Sequence, residues 1–485
     1  MKREEREVLQ FLSGMGIKVR PNATEIVTKQ FLAVRNKEDN NEEFDQLLDK
    51  WGQLKVLDIN DLQDKSDIIQ IKTLQENCEI FVFDVFKDIK KEIYYPESKK
   101  FFPSREKPSL IKAPQGKASM YLDRFLISKD RIKSSPNFSS HENSQLINSI
   151  DSLVGCRTER IVLGILTKTD SNDWILEDSS SSETLDLSHA GCNVGFFCEG
   201  CIVLVQGRMD EKIFKASCLA QPPTCWILDT PYIIPNNKWL VPWPDHALIV
   251  LMSNVHFDEL RVLQSLDKIF EVYSNYSNVM FVFIGNFNSQ KNPALHKYTT
   301  GFENLVDIIE KYEILRSTGM WVFVPGPNDP GLGEFMPRRE IPPVFVEPLR
   351  RLEKVKVTSN PTRIGFCGKK IVIARTDQMR KMQRSTAVES TNEENLDPEN
   401  FLAHTLVKQA HVCPSLHTPI LPDYDYALRL DQKVDFICVA ENSKNYHHAI
   451  DGVNVFSPGH FSRYSSFCTL SGKNLEIDMR ELDNS

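Results

Sequence analysis

The sequence has no apolar run approaching the roughly 20 residues that span a bilayer as a helix, so no contact with a membrane is expected. No secretory apolar core follows the start: Met1-Lys-Arg-Glu-Glu-Arg is charged and continues amphipathically. There is no excess of positive charge. With a formal net charge of −8, the overall field does not draw in nucleic acid, so a DNA contact is expected to be local, weak or indirect through a partner. A second CxxC is missing beside Cys198-Glu-Gly-Cys201, and the eleven cysteines are an odd number in apolar surroundings. That pattern fits reduced thiols of the cytosol or nucleus rather than a disulfide framework. A zinc site would have to recruit Cys218 and Cys225. Cys198 and Cys201 sit at the start of a strand, where residues three apart face opposite ways, so buried thiols are expected instead. No internal repeat is found.

What is present is enough chain for about two to four domains. The 485 residues are 41 % hydrophobic and 26 % charged, a globular balance rather than a disordered one. Residues 1–75 read as a small helical bundle. One stripe is Val8, Leu9, Phe11, Leu12 and Met15, closed at Gly16; a second carries Ile26, Val27, Phe31 and Val34; a third carries Phe44, Leu47, Leu48, Trp51 and Leu54. Residues 76–150 read as a connector. It holds a candidate strand at Ile80–Phe86, a basic run broken by Pro96, Pro103, Pro108 and Pro114, and a candidate helix from Tyr121 to Ile132.

Residues 151–238 change to short strands at 161–166, 174–176, 184–187, 201–207 and 213–217, separated by turn residues. Five strands in so short a span suit a small closed barrel of the OB type. Its few aromatics (Trp174, Phe196, Phe197, Phe214) stand amid acidic residues, which favours protein contact or a structural role over a nucleic-acid platform. From 239 to 485 the pattern is α/β. Apolar strands at 248–253, 279–285 and 320–325 each end in a polar turn, and more strands are expected near 363–365, 370–374, 435–439 and 452–456. The polar stretch 377–400 reads as a solvated loop.

The three polar turns carry the chemistry. A two-metal phosphoesterase holds its ions with carboxylates and histidines on loops at converging strand ends. The ordered motifs here resemble those of the calcineurin-like metallophosphoesterases, with the ligands eroded. Asn254 stands for the first Asp, and His256 remains. Asn286 and Ser289 replace the two Asp of the second motif. Gly326-Pro327-Asn328-Asp329 keeps Gly and Asp of the third. His411 matches the lone His, and Ala440-Glu441-Asn442-Ser443 has lost both histidines of the last. Asparagine is a neutral, weak ligand that cannot offset two cations, so no metal, cofactor or catalytic residue is expected at these positions.

An OB barrel before such a domain resembles the B subunits of the replicative DNA polymerases, which carry an inactivated calcineurin-like phosphoesterase domain. The resemblance rests on Leu163-Gly-Ile-Leu-Thr167 with Leu176-Glu-Asp178, Phe283-Ile-Gly-Asn-Phe287, and Phe323-Val-Pro-Gly-Pro-Asn-Asp-Pro-Gly331. It continues in Thr358-Ser-Asn-Pro-Thr-Arg-Ile364, Tyr424-Asp-Tyr-Ala-Leu-Arg429 and Ser457-Pro-Gly-His-Phe461. It is strongest from about 155 to 470, and within the family it points to the epsilon branch. It implies an N-terminal domain like an AAA+ lid, an OB fold and a four-layer αββα sandwich. It also implies a nuclear, non-catalytic replisome subunit. The implied partners are the zinc-bearing C-terminal region of the catalytic subunit of DNA polymerase epsilon, the GINS part of the replicative helicase through residues 1–75, and small histone-fold subunits. The alternatives are an active metal-dependent phosphodiesterase or exonuclease relying on His256, Asp329 and His411, and the B subunit of another replicative polymerase. His256 alone reads as a hydrogen-bonded structural residue, and His460 as a turn residue.

Overall fold

The computed structural model describes residues 78–485 apart from 112–114, 136–137, 139–145, 148, 154, 157, 225, 227–241, 244–247, 332, 367–368, 390–396, 473–474 and 483–485; of the first 77 it describes Val8, Leu12, Lys18, Val19, Val56 and Leu57. The chain forms two compact units that divide at Cys78. In the first, Val8 and Leu12 are helical and buried, and Lys18–Val19 pairs in parallel with Val56–Leu57. That strand pair departs from the all-helical expectation, and the rest of the expected bundle lies outside the described residues.

The second unit opens with strand β1 (Cys78–Asp84), then a short hairpin, then helix α1 (Gln115–Ser134). The barrel strands follow: β2 (Arg160–Lys168), β3 (Trp174–Glu177), β4 (Ser182–Asp186), β5 (Ile202–Asp210) and β6 (Ile213–Ala220). They pair in the ring β2–β3–β4–β6–β5–β2, with β4 and β6 in parallel closing it. All five fall on the alternating stretches expected from the sequence. Gly164 is needed inside β2, because a Cβ there would lie 2.4 Å from Leu176 Cγ. Phe125 and Ile132 of α1 pack on Leu163, Ile165, Ile202 and Leu204 of the barrel's outer side.

Two sheets follow. The first uses β7 (Leu248–Ser253), β8 (Val279–Ile284) and β9 (Met320–Val324), all parallel, with helices α2 (Leu260–Tyr273) and α3 (Leu295–Ile309) between them. The second is built on β10 (Thr362–Phe366) and β11 (Lys369–Arg375), with β12 (Phe436–Ala440) and β13 (Val453–Ser457). Strand β1 pairs antiparallel with β10 and so belongs to this sheet. Strand β14 (Ser466–Ser471) returns to the first sheet beside β7. Strands β7 and β8 are buried on both faces, which is why they read as unbroken apolar runs rather than alternating ones. One face (Val250, Met252, Phe281, Phe283) packs on Leu266, Phe270 and Phe302 of the helices. Arg375 reaches from the second sheet to the first, donating to the Gly285 carbonyl.

The outer face of the second sheet shares one core with the barrel and with helix α4 (Pro398–Gln409). Gln409 fastens this junction. Its Oε1 accepts from Ile202 N at 3.0 Å and its Nε2 donates to Ile202 O at 2.7 Å. The stretch 377–400, expected as a loop, is partly helical: Met379–Ser385 forms a helix whose Met379 and Met382 are buried. Two methionines one turn apart suffice to bury one side of a short helix that is otherwise charged.

Candidate functional site

The polar turns at the ends of β7, β8, β9, β11 and β12 converge. Asn254 follows β7 with φ of 53°, a left-handed conformation that asparagine tolerates better than most residues. Its Oδ1 accepts from Asn286 Nδ2 at 3.4 Å, and Asn286 Oδ1 accepts the Asn328 N–H at 2.9 Å. Asp329 is buried. Its two carboxylate oxygens accept from Phe287 N at 2.8 Å and Gly326 N at 2.7 Å, which ties the turn after β9 to the turn after β8. Burial pushes this carboxyl above the usual range, against those two N–H donors and Arg338. Arg338 itself donates to the carbonyls of Pro327, Gly333 and Asp329.

The centre of the constellation holds a residue that no motif pointed to. Arg375, at the end of β11, is 2 % exposed. Its Nε donates to Gly285 O at 2.8 Å and its Nη2 to Asn254 Oδ1 at 2.9 Å. Its Nη1 donates to Thr376 O at 2.5 Å and to Ala440 O at 3.3 Å. Asp377 receives both terminal nitrogens, at 2.8 and 3.1 Å. A fixed monocation therefore lies among the strand-end acceptors. Its planar fork matches several oxygens at once, which a lysine cannot do. The sequence did carry a cue: an arginine closing the apolar run Ile371-Val-Ile-Ala374 has to find buried acceptors.

The other predicted positions have separate duties. His256 Nδ1 is 2.8 Å from Glu259 Oε1, its backbone N–H donates to Ser462 Oγ, and its ring meets that of His460 edge-on at 5.5 Å. His460 is buried rather than a plain turn residue, and burial with His256 beside it lowers its pKa to about 3. Ser289 is turned to Asp258, donating through both N and Oγ. Glu441 accepts from Thr376 Oγ at 2.6 Å and from Gln378 N at 3.2 Å, so it caps the helix Met379–Ser385; burial and the nearby Asp377 raise its pKa. The Ser443 carbonyl accepts the His460 N–H.

His411 does not join the strand-end cluster. Its Nδ1 accepts the Cys413 N–H at 2.9 Å, which leaves Nε2 to donate to Asp425 Oδ1 at 3.1 Å. Arg124 of α1 donates to the same oxygen through Nε at 3.0 Å and Nη2 at 2.5 Å. Burial, with Arg124 nearby, lowers the His411 pKa to about 4. Burial works against ionised Asp425, but Arg124 and His411 outweigh it and hold the carboxyl well below the usual range. Cys198 and Cys201 are free, buried thiols, as expected. They lie in the turn before β5, and the Cys198 Sγ donates to Met382 O at 3.2 Å. Cys225 lies outside the described residues, and among the described residues no group of three His, Cys, Asp or Glu is placed to hold a metal ion.

Two family models match this chain: that of the B subunit of DNA polymerase alpha/epsilon over residues 249–448, and that of the OB-fold domain of "DNA polymerase epsilon subunit 2-like" proteins over 114–223. The first spans the whole strand-end constellation, and the second spans α1 and the barrel. Over these two stretches the chain is similar to the B subunits of DNA polymerase alpha/epsilon. Similar relatives include the B subunit of DNA polymerase epsilon from Arabidopsis thaliana, 28 % identical over 76 % of this chain and 76 % of its own. DNA polymerase epsilon subunit 2 of Homo sapiens is 29 % identical over 78 % of each chain. The corresponding B subunit from Schizosaccharomyces pombe is 29 % identical over 80 % of this chain and 74 % of its own. Among solved structures, an archaeal phosphodiesterase aligns with 48 % of this chain and 99 % of its own at 13 % identity, with a TM-score of 0.26.

Proposed function

We propose that this chain is the non-catalytic accessory subunit of DNA polymerase epsilon, serving chromosomal DNA replication in the nucleus as a scaffold for the catalytic subunit. The observation that carries the non-catalytic reading is Arg375. Its guanidinium takes up Asn254 Oδ1, Gly285 O and Ala440 O, acceptors that line the space between the strand ends. A site filled this way offers no open coordination position and no metal-bound water for phosphodiester attack. On this reading residues 239–485 are an inactive calcineurin-like sandwich, 151–238 the OB domain, 76–150 the connector and 1–75 the helical domain.

The sandwich and the barrel then serve as a rigid platform for the zinc-bearing C-terminal region of the catalytic subunit. Residues 1–75 dock onto GINS, and the small histone-fold subunits complete the assembly. The test is affinity purification of the tagged chain from native extract, with and without residues 1–75. The full chain is expected to bring down the polymerase and helicase components, and the truncated chain the polymerase alone. A chain that recovers no large polymerase subunit, or that hydrolyses phosphodiesters with manganese and loses that activity in His256→Ala, refutes the proposal.

A further inference from the structure

The acidic balance of the chain is not uniform. Residues 87–133 contain thirteen Lys and Arg against six Asp and Glu, within a chain whose net charge is −8. The middle of this segment is a two-stranded ribbon, Glu92–Tyr95 paired antiparallel with Lys100–Pro103. Strand alternation gives the ribbon two different faces. The inner face anchors it: Tyr94 is buried and donates to Asp130 at 2.9 Å, and the Arg429 guanidinium lies over the Phe101 ring at 5.3 Å.

The outer face is apolar and basic at once. Ile93 lies opposite Phe102, and Tyr95 opposite Lys100. Tyr95 is 50 % exposed and Phe102 46 %, with ring centroids 5.4 Å apart and planes at 86°. Lys99, Lys100, Arg105 and Lys107 are exposed, and none has an ion-pair partner among the described residues. Glu97 and Glu106 are the exposed acidic residues of this stretch, and Glu92 lies on the inner face. Single exposed apolar residues are ordinary, but two adjacent aromatics interleaved with unpaired cations are not. The centre of a protein–protein patch is depleted of charge, whereas here Lys100 stands within the apolar face. Rings that rise from a narrow ribbon can stack on unstacked bases, and flanking lysines can meet phosphates.

We propose that this ribbon and the basic residues after it form a contact surface for single-stranded nucleic acid. It would supply the local attraction that the whole chain lacks. The experiment is fluorescence anisotropy of the full chain with a labelled oligothymidylate, its duplex with oligoadenylate, and polyglutamate, over a series of salt concentrations. Tyr95→Ala/Phe102→Ala is expected to weaken oligothymidylate binding about tenfold or more. Lys99→Glu/Lys100→Glu is expected to weaken it and to lower the salt slope by about 1.4, at roughly 0.7 for each phosphate that is no longer neutralised. Charge reversal at Lys268 and Lys297, on α2 and α3, is expected to leave it unchanged, and thermal melts of all variants should match the parent. Undiminished binding in both ribbon variants overturns the proposal. So does duplex or polyglutamate binding as tight as that of the single strand, because the surface would then read charge without bases.

Discussion

Replacing Arg375 with methionine removes the charge and the hydrogen-bond fork but keeps most of the volume. The Gly285 and Thr376 carbonyls then each lose their only donor among the described residues, and Asn254 Oδ1 is left with the long contact to Asn286 at 3.4 Å. Ala440 O keeps the Thr376 N–H at 3.1 Å, so its loss is small. An orphaned buried acceptor costs about 1–3 kcal/mol, and with the weakened Asn254 the total comes to about 3–5 kcal/mol. The pair with Asp377 adds little, since that carboxylate is 41 % exposed. For a cooperative unit spanning residues 79–485, the entropy of unfolding is about 0.85 kcal/mol per degree, so the melting temperature should fall by about 4–6 °C. Differential scanning calorimetry of Arg375→Met and Arg375→Lys beside the parent reads this directly. The lysine variant, which keeps a charge without the fork, should fall between them. If Arg375→Met melts within about 1 °C of the parent, the guanidinium does not hold the two sheets together and the reasoning fails.

Three further outcomes are expected. Asn254→Asp/Asn286→Asp should take up no stoichiometric manganese by elemental analysis while Arg375 is present, because the introduced carboxylates pair with the guanidinium; uptake by that double variant would contradict the reading. Gly285→Ala should destabilise strongly in denaturant titration, since its Cβ would sit 2.4 Å from Gly326 N and overlap Asp329 Oδ2. His411, lowered from 6.5 to about 4, contributes stability that is complete above its unfolded pKa and is lost as pH falls towards 4. That contribution amounts to about 3 kcal/mol. Unfolding free energies measured from pH 4 to 7 should rise with pH, and His411→Gln should flatten the rise.

Much of the fold was legible in the sequence because the strands are chemically unambiguous. Leu248-Ile-Val-Leu-Met252 and Val279-Met-Phe-Val-Phe-Ile284 are too short for ordinary helices and too apolar for a surface. The barrel strands were equally clear, since turn residues separate them. The polar turns at the strand ends were legible as a site, but the arginine at their centre was not. Arg375 follows an apolar run and precedes Thr-Asp, so in one dimension it resembles an ordinary strand end. Its acceptors come from Asn254, Gly285 and Ala440, far apart in the chain. His411 was placed by its order among the motifs, yet order does not determine distance; Asp425 and Arg124 decide where it belongs. The helix at Met379–Ser385 was hidden because only two of its seven residues are buried.

Strand β1 has a consequence for how the protein is made. It lies between Pro242–Trp243 and β10, and Val82 pairs with Ile364, so its longer neighbour is translated 282 residues later. At roughly 5–20 residues per second, Ile80-Phe-Val-Phe83 waits about 14–56 s with the ladder groups that face β10 open. Arg124 waits longer still for Asp425, 301 residues on. The barrel, whose strands lie close together in sequence, can close in the meantime. The nascent chain therefore carries a sticky edge through most of its synthesis, and cells short of holding chaperones should lose this subunit to aggregation before they lose its assembled complex.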